Sequence, residues 1–312
     1  MKQWLVGLAL CLVASVVAYG DELPATKVAF DAHGQLWRAS VKQGQVWIDH
    51  SQPLMPGDTP KFSTAVAVTT GSQKIRALAI ASDEKVWVAW MDENAVIFLT
   101  ALSDQGVHLS PVGKVAETGY ACGGIALQPA PNNQVVALWQ QSFDGGARDY
   151  AMAKIDMPTL DRQNHVTIHR ATFGGLHLDA CPQPAPALAK GGDWGWHMAW
   201  FDGGDKAGVF YARMDGDAWV SSPAKCFKQM QTAQPSLLAI GEHVWLAWQE
   251  SNKQGANINV AMSDDGGRSW ASPIVVAQTQ GVADDPILFN QGEQAYLSWN
   301  TAAGLRLLAL PY

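Results

Sequence analysis

Charge is scarce in this 312-residue chain. Only 16% of its residues are Asp, Glu, Lys or Arg, where an ordinary soluble domain carries roughly a quarter. Hydrophobic content is a normal 48%, so the shortfall does not signal disorder, which combines few apolar residues with much charge. The 21 basic residues form no run, and the formal net charge is −7. That removes the electrostatic footprint expected of a nucleic-acid partner or an anionic membrane surface. Beyond the N-terminus no apolar stretch is long enough to span a bilayer. Helical periodicity is missing as well: nowhere do apolar residues recur at the three-and-four spacing of an amphipathic helix.

What is abundant is Gly, with 29 residues, and Trp, with 14. Together with low charge they predict many short strands joined by tight turns. The N-terminus reads separately. Lys2 precedes an apolar run from Trp4 to Ala18, which leaves through the small-residue exit Ala18-Tyr19-Gly20. This is the pattern of a secretory signal peptide over residues 1–20, leaving 21–312 as one domain exported to the periplasm or the medium. Of the four cysteines, Cys122, Cys181 and Cys226 follow that segment, an odd number for an oxidising compartment.

The chain repeats. A five-residue strand recurs as Val86–Trp90, Val135–Trp139, Trp196–Trp200, Val244–Trp248 and Ala295–Trp299, with a weaker copy at Leu36–Ser40. The six copies follow one another at a period of about 50 residues, the range of stacked repeats. The fifth copy shows the internal grammar most clearly. Pro235–Ile240 reads as a strand, Gly241-Glu242 as a turn, then the Trp strand, a polar loop Gln249–Ala256, a third strand Asn257–Met262, a turn, and a fourth strand Ser269–Ala277. Four antiparallel strands in such a unit describe one propeller blade. The expected fold is therefore all-β, a six-bladed β-propeller of four-stranded antiparallel blades. Sequence runs out after a third strand in the last blade, whose outer strand is then supplied by the N-terminal segment or absent.

The turn Ser263-Asp264-Asp265-Gly266-Gly267-Arg268-Ser269-Trp270 fits the pattern Ser-x-Asp-x-Gly-x-Ser/Thr-Trp. Asp265 is placed to bond the backbone of its own turn, Gly267 to take a conformation closed to other residues, and Trp270 to pack beneath the hairpin. Degenerate copies stand at Ser103-Asp104-Gln105-Gly106 and Met214–Trp219. The chain thus resembles the sialidase-like, Asp-box (BNR repeat) six-bladed propeller superfamily over nearly all of its length after residue 20. The resemblance implies that these turns lie on the face away from the active site and serve architecture, with Ser263, Asp265, Gly267 and Trp270 as structural positions.

The same resemblance implies a test for chemistry. Sialidases use a Tyr nucleophile activated by a Glu, an Asp acid/base, and three Arg that clamp the substrate carboxylate; guanidinium forks suit that task because they pair a carboxylate bidentately. Such residues come from the entrances of the inner strands. Those entrances here read Thr26-Lys27, Arg76, Gly123-Gly124, Pro184-Ala185-Pro186, Gln234-Pro235 and Asp284-Asp285-Pro286. One Arg is present where three are needed, and the family's Arg-Ile-Pro signature is missing. Arg76, Tyr120, Asp284 and Asp285 are the candidate participants if the chain is catalytic.

Loops after the Trp strands are expected on that same axial face, and they are acidic: Asp92 with Glu93, Asp144, Asp202 with Asp205, and Glu250. They are candidate ligand-face residues for a sugar or a cation, against the simpler reading of solvated loops. Cys122, Cys181 and Cys226 each precede the Trp strand of consecutive blades. A Cys122–Cys181 disulfide is the expected pairing. The alternative groups Cys226 with His177 and Met230, soft donors suited to copper. Three functions follow: a non-catalytic propeller binding a glycan, protein or envelope ligand through its axial face; an exo-sialidase-type glycoside hydrolase; or a periplasmic copper- or redox-linked factor. No cofactor is expected, a metal ion being the one left open.

Overall fold

The computed structural model describes residues 26–31, 33–54, 60–103, 109–157, 166–175, 184–203, 207–229, 234–252, 255–281, 283–301 and 304–311. It is an all-β, six-bladed propeller. Blade one is β1 (Thr26–Phe30), β2 (Gln35–Lys42), β3 (Gln45–Pro53) and β4 (Val66–Ala67); blade two is β5 (Ile75–Ser82), β6 (Lys85–Asp92), β7 (Val96–Ser103) and β8 (Gly113–Glu117). Blade three is β9 (Ile125–Ala130), β10 (Gln134–Ser142), β11 (Arg148–Asp156) and β12 (His169–Arg170); blade four is β13 (Ala187–Lys190), β14 (Gly195–Asp202), β15 (Gly208–Asp215) and β16 (Lys225–Gln229). Blade five is β17 (Ser236–Ile240), β18 (His243–Asn252), β19 (Gly255–Ser263) and β20 (Ile274–Gln280), and blade six is β21 (Ile287–Gln291), β22 (Gln294–Thr301) and β23 (Gly304–Ala309). Neighbouring strands within every blade are antiparallel.

The recurring Trp strand is the second strand of each blade, and it is where the cores form. Trp37, Trp87, Trp90, Trp139, Trp245 and Trp248 are all fully buried. Five apolar clusters each span two consecutive blades: Trp37 with Trp90 between one and two, Trp87 with Trp139 between two and three, and so on to Trp245 with Trp299 between five and six. No blade buries its own faces, so the repeat needs its neighbours. The first strands line the axis, with β1 beside β5, β5 beside β9, β9 beside β13, β13 beside β17 and β17 beside β21.

Three sequence expectations shift. The polar stretch Gln249–Ala256 is mostly strand, because Ser251 pairs with Ala256 and Asn252 with Gly255, extending the β18–β19 ladder to its tip. The fourth strand of blade five starts at Ile274, not Ser269, because the Ser269 amide and hydroxyl are committed to Asp265. Blade six has three strands among the described residues; Thr26–Phe30 pairs with β2 in blade one and does not complete it. The proposed signal segment, residues 1–20, lies outside the described residues, and no described helix is long and apolar enough to cross a membrane.

Candidate functional site

Strand direction sorts the loops onto two ends. Each first strand runs from one end, called here the axial entrance, to the other. The Ser263–Trp270 turn sits at the far end, since Gly266 N–H donates to the Glu242 carbonyl in the β17–β18 turn at 2.8 Å. This turn is closed by one carboxylate. Asp265 accepts from the amides of Arg268 and Ser269 and from the hydroxyls of Ser263 and Ser269 at 2.6–3.0 Å. Those bonds, the Ser269 hydroxyl first, hold its pKa well below the usual carboxylate range. Gly267 has φ +76, and a Cβ there would strike the Tyr211 hydroxyl at 1.8 Å. Trp270 donates its indole N–H to the Gly267 carbonyl and packs edge-on against Tyr211 and Phe227 of the preceding blade. It therefore fastens two blades together as well as closing its own hairpin.

At the axial entrance the residues of four blades assemble a charged rim. Lys27 begins blade one, and Asp285 leads into the first strand of blade six; the two interact electrostatically across the seam where first and last blades meet. Solvent reaches Asp285, yet neighbouring protein groups crowd it. Burial pushes its pKa up to about 6, opposed by a backbone N–H from Gln234 of blade five, aided by Asp284, and opposed again by Lys27. Burial likewise pulls the Lys27 ammonium below the usual lysine range, with Asp285 acting in the opposite sense. Asp284 is exposed and accepts from the Asn300 side-chain amide at 3.2 Å.

Arg76 occupies the equivalent position in blade two. Ile75 pairs with Asp92 and Ala77 with Met91, so Arg76 is the extra residue of a β-bulge at the entrance of β5. Bulges re-aim a side chain out of the sheet pattern, and Arg76 Nε is buried with no acceptor among the described residues. Blades three and four close the rim with small groups: a Cβ at Gly124 would lie 2.6 Å from the Ala185 Cα. Lys27 had no role in the sequence reading; its signal was its position at a strand entrance, the same as that of Arg76.

Tyr120, in the β8–β9 connection, carries the Arg148 guanidinium over its ring at 4.7 Å, and its carbonyl accepts from the Thr118 hydroxyl. Asp92 is buried and caps its own hairpin, accepting from the amides of Asn94 and Val96 at 3.0 and 2.9 Å. Glu250 accepts the indole N–H of Trp248 at 3.1 Å. These two carboxylates are structural acceptors because buried amides and indoles need partners. Asp202 is half-buried near Tyr150, while Glu93 and Asp144 are exposed. Cys122 is half-buried in the turn before β9, and Cys226 is exposed on β16. Asp205, His177, Cys181 and Met230 lie outside the described residues. No cluster of three or more His, Cys, Asp or Glu forms among the described residues.

No protein-family model and no curated protein matches the chain. Solved structures do. A protein of unknown function from Dyadobacter fermentans matches with a TM-score of 0.59 at 10% identity, over 91% of this chain and 92% of that one. A mutant NanB sialidase from Streptococcus pneumoniae matches at 0.58 and 8%, over 91% of this chain and 66% of that one. An ulvan lyase of a polysaccharide lyase family, solved with GlcA(1-4)Rha3S bound, matches at 0.54 and 10%, over 91% and 78%. At these identities the similarity is one of fold.

Proposed function

We propose that this chain is an exported, non-catalytic propeller that binds an acidic glycan at its axial entrance. The observation that carries it is Arg76, bulged out of β5 with a buried Nε lacking an acceptor. A guanidinium held that way is under-satisfied until an anionic oxygen reaches it. Lys27 adds a second cation to the same rim, and Gln234 and Asn300 add amide donors beside Asp284 and Asp285. Support also comes from the propellers of similar fold, a sialidase and a lyase bound to a uronate-containing saccharide. Fold alone does not carry function, so the weight rests on the rim. Residues 1–20 act as the export signal in this reading, and Cys122 pairs with Cys181 to staple the entrances of blades three and four.

Among the described first-strand entrances Arg76 is the one arginine, against the three of a sialidase clamp, which sets this reading apart from a sialidase mechanism. One observation favours a second reading, a glycoside hydrolase: Asp285 holds a proton up to about pH 6, where a general acid works. A glycan array distinguishes the two when paired with a fluorogenic sialoside. Retention of uronate- or sialate-bearing glycans without turnover supports binding alone. Turnover abolished by Asp285→Asn establishes the hydrolase, and retention of neutral glycans only contradicts both.

A further inference from the structure

A cleft of about 260 Å³ opens at the far end of the ring, opposite the axial entrance. It lies among the β5–β6 turn (Asp83, Glu84), the β9–β10 turn (Asn132, Asn133) and Lys190 at the end of β13, so blades two, three and four all contribute. One buried polar group of its wall is unsatisfied. Ser82 Oγ is buried with no hydrogen-bond partner among the described residues. Trp87 lines the cleft at 2% exposure. Burying a hydroxyl without a partner costs about 1–3 kcal/mol, so a well-packed chain does not leave one idle without cause.

The charges narrow the ligand. Asp83 and Glu84 stand against Lys85 and Lys190 around one small space, and the local sum is zero. No net field selects an anion or a cation. Donors and acceptors are instead interleaved, with the amides of Asn132 and Asn133 offering both. Both asparagines are held at positive φ, 62° and 56°, a conformation Asn tolerates better than most residues, and they present two successive side chains at the cleft mouth. Pro129 and Pro131 frame that turn with apolar rigid surface.

The geometry points to a second binding site for a neutral, polyhydroxylated ligand, a saccharide unit seated beside Trp87 and held by Ser82 Oγ and the mixed-charge rim. A sugar hydroxyl donates and accepts at once, which is what this interleaved wall requires. The site is independent of the axial rim, sharing no residue with it.

Saturation-transfer NMR with D-glucose, D-galactose, N-acetyl-D-glucosamine and cellobiose tests it, with 15N indole spectra read in parallel. Saturable transfer from at least one sugar is expected, together with a shift of the indole cross-peak that Trp87→Phe removes. Glu84→Ala and Lys190→Ala, both at exposed side chains, should each weaken binding about tenfold, the loss of one hydrogen bond to a charged group. Arg76→Ala should leave it unchanged. No saturable transfer with any of the four sugars overturns the site, as does binding that survives both cleft variants or disappears with Arg76→Ala.

Discussion

Trp248 donates its indole N–H to Glu250, two residues further along β18, at 3.1 Å, and Trp139 donates in the same way to Gln141 at 2.9 Å. Residues two apart on a strand share a face, so the residue after next is the natural cap for a buried indole. Glu250→Ala leaves the Trp248 N–H buried and unpaired, which should cost about 1–3 kcal/mol. Glu250→Gln keeps an acceptor and should remain within about 0.5 kcal/mol of wild type, the ordinary range of a tolerated surface change. Urea unfolding of both variants checks this. Equal stability losses would remove Glu250 from the capping role.

The turn closed by Asp265 makes a separate prediction. Asp265→Ala removes the acceptor for two amides and two hydroxyls, and a loss of about 1–3 kcal/mol follows for bonds to a charged group. Because its folded pKa is lowered, the stabilisation is present above the unfolded value near 3.8 and is lost as pH falls through and below it. Thermal melts at pH 7 and pH 3 should therefore show wild type and Asp265→Ala converging in acid. A gap that stays constant would contradict the carboxylate's role.

A third prediction concerns blade four. His197 is wholly buried, shares a 2.6 Å hydrogen bond with the Tyr211 hydroxyl, and stands edge-on to Trp194. Burial, and secondarily Arg213, lower its pKa to about 3. The unfolded chain takes up this proton near pH 6.5 while the folded chain resists until about 3, so His197 lowers stability as pH falls through that interval. Asp285, with its pKa raised to about 6, acts in the opposite sense between about 6 and 3.8. The readout is thus a difference: from pH 7 to 5, His197→Gln should lose less stability than wild type. Parallel pH profiles would show that His197 is not held neutral.

The proposed staple between blades three and four has its own check. Peptide mapping without reduction should recover Cys122 joined to Cys181. Recovery of a Cys122–Cys226 link, or of alkylated Cys122, would contradict it.

Much of the architecture was legible because each blade repeats one buried strand, and Trp90, Trp139, Trp200, Trp248 and Trp299 mark its end. The acidic residues behind those tryptophans have local partners that composition does not show. Asp92 and Glu250 look like ligand-face acids from composition, yet each sits two residues past an indole and serves a hairpin or a buried N–H. Their spacing carried that signal. Arg76 could be named from its place in the repeat, but the bulge that re-aims it depends on pairing with Asp92 and Met91, which no local pattern records. The meeting of Lys27 with Asp285 depends on ring closure, joining residues from opposite ends of the domain. The far-end cleft escaped notice because Asp83, Glu84, Asn132 and Asn133 are ordinary turn residues until three blades are stacked.

Calorimetric titration of an acidic oligosaccharide into wild type and Arg76→Ala, at pH 7 and pH 5.5, tests the axial site most directly. Protonating Asp285 near pH 6 removes a negative charge beside Lys27, so affinity should rise as pH falls from 7 to 5.5. Arg76→Ala should weaken binding at least about tenfold at both values, the loss of a charge-assisted bond. Unchanged affinity in Arg76→Ala, or affinity that falls toward pH 5.5, would contradict an acidic-glycan site at this entrance.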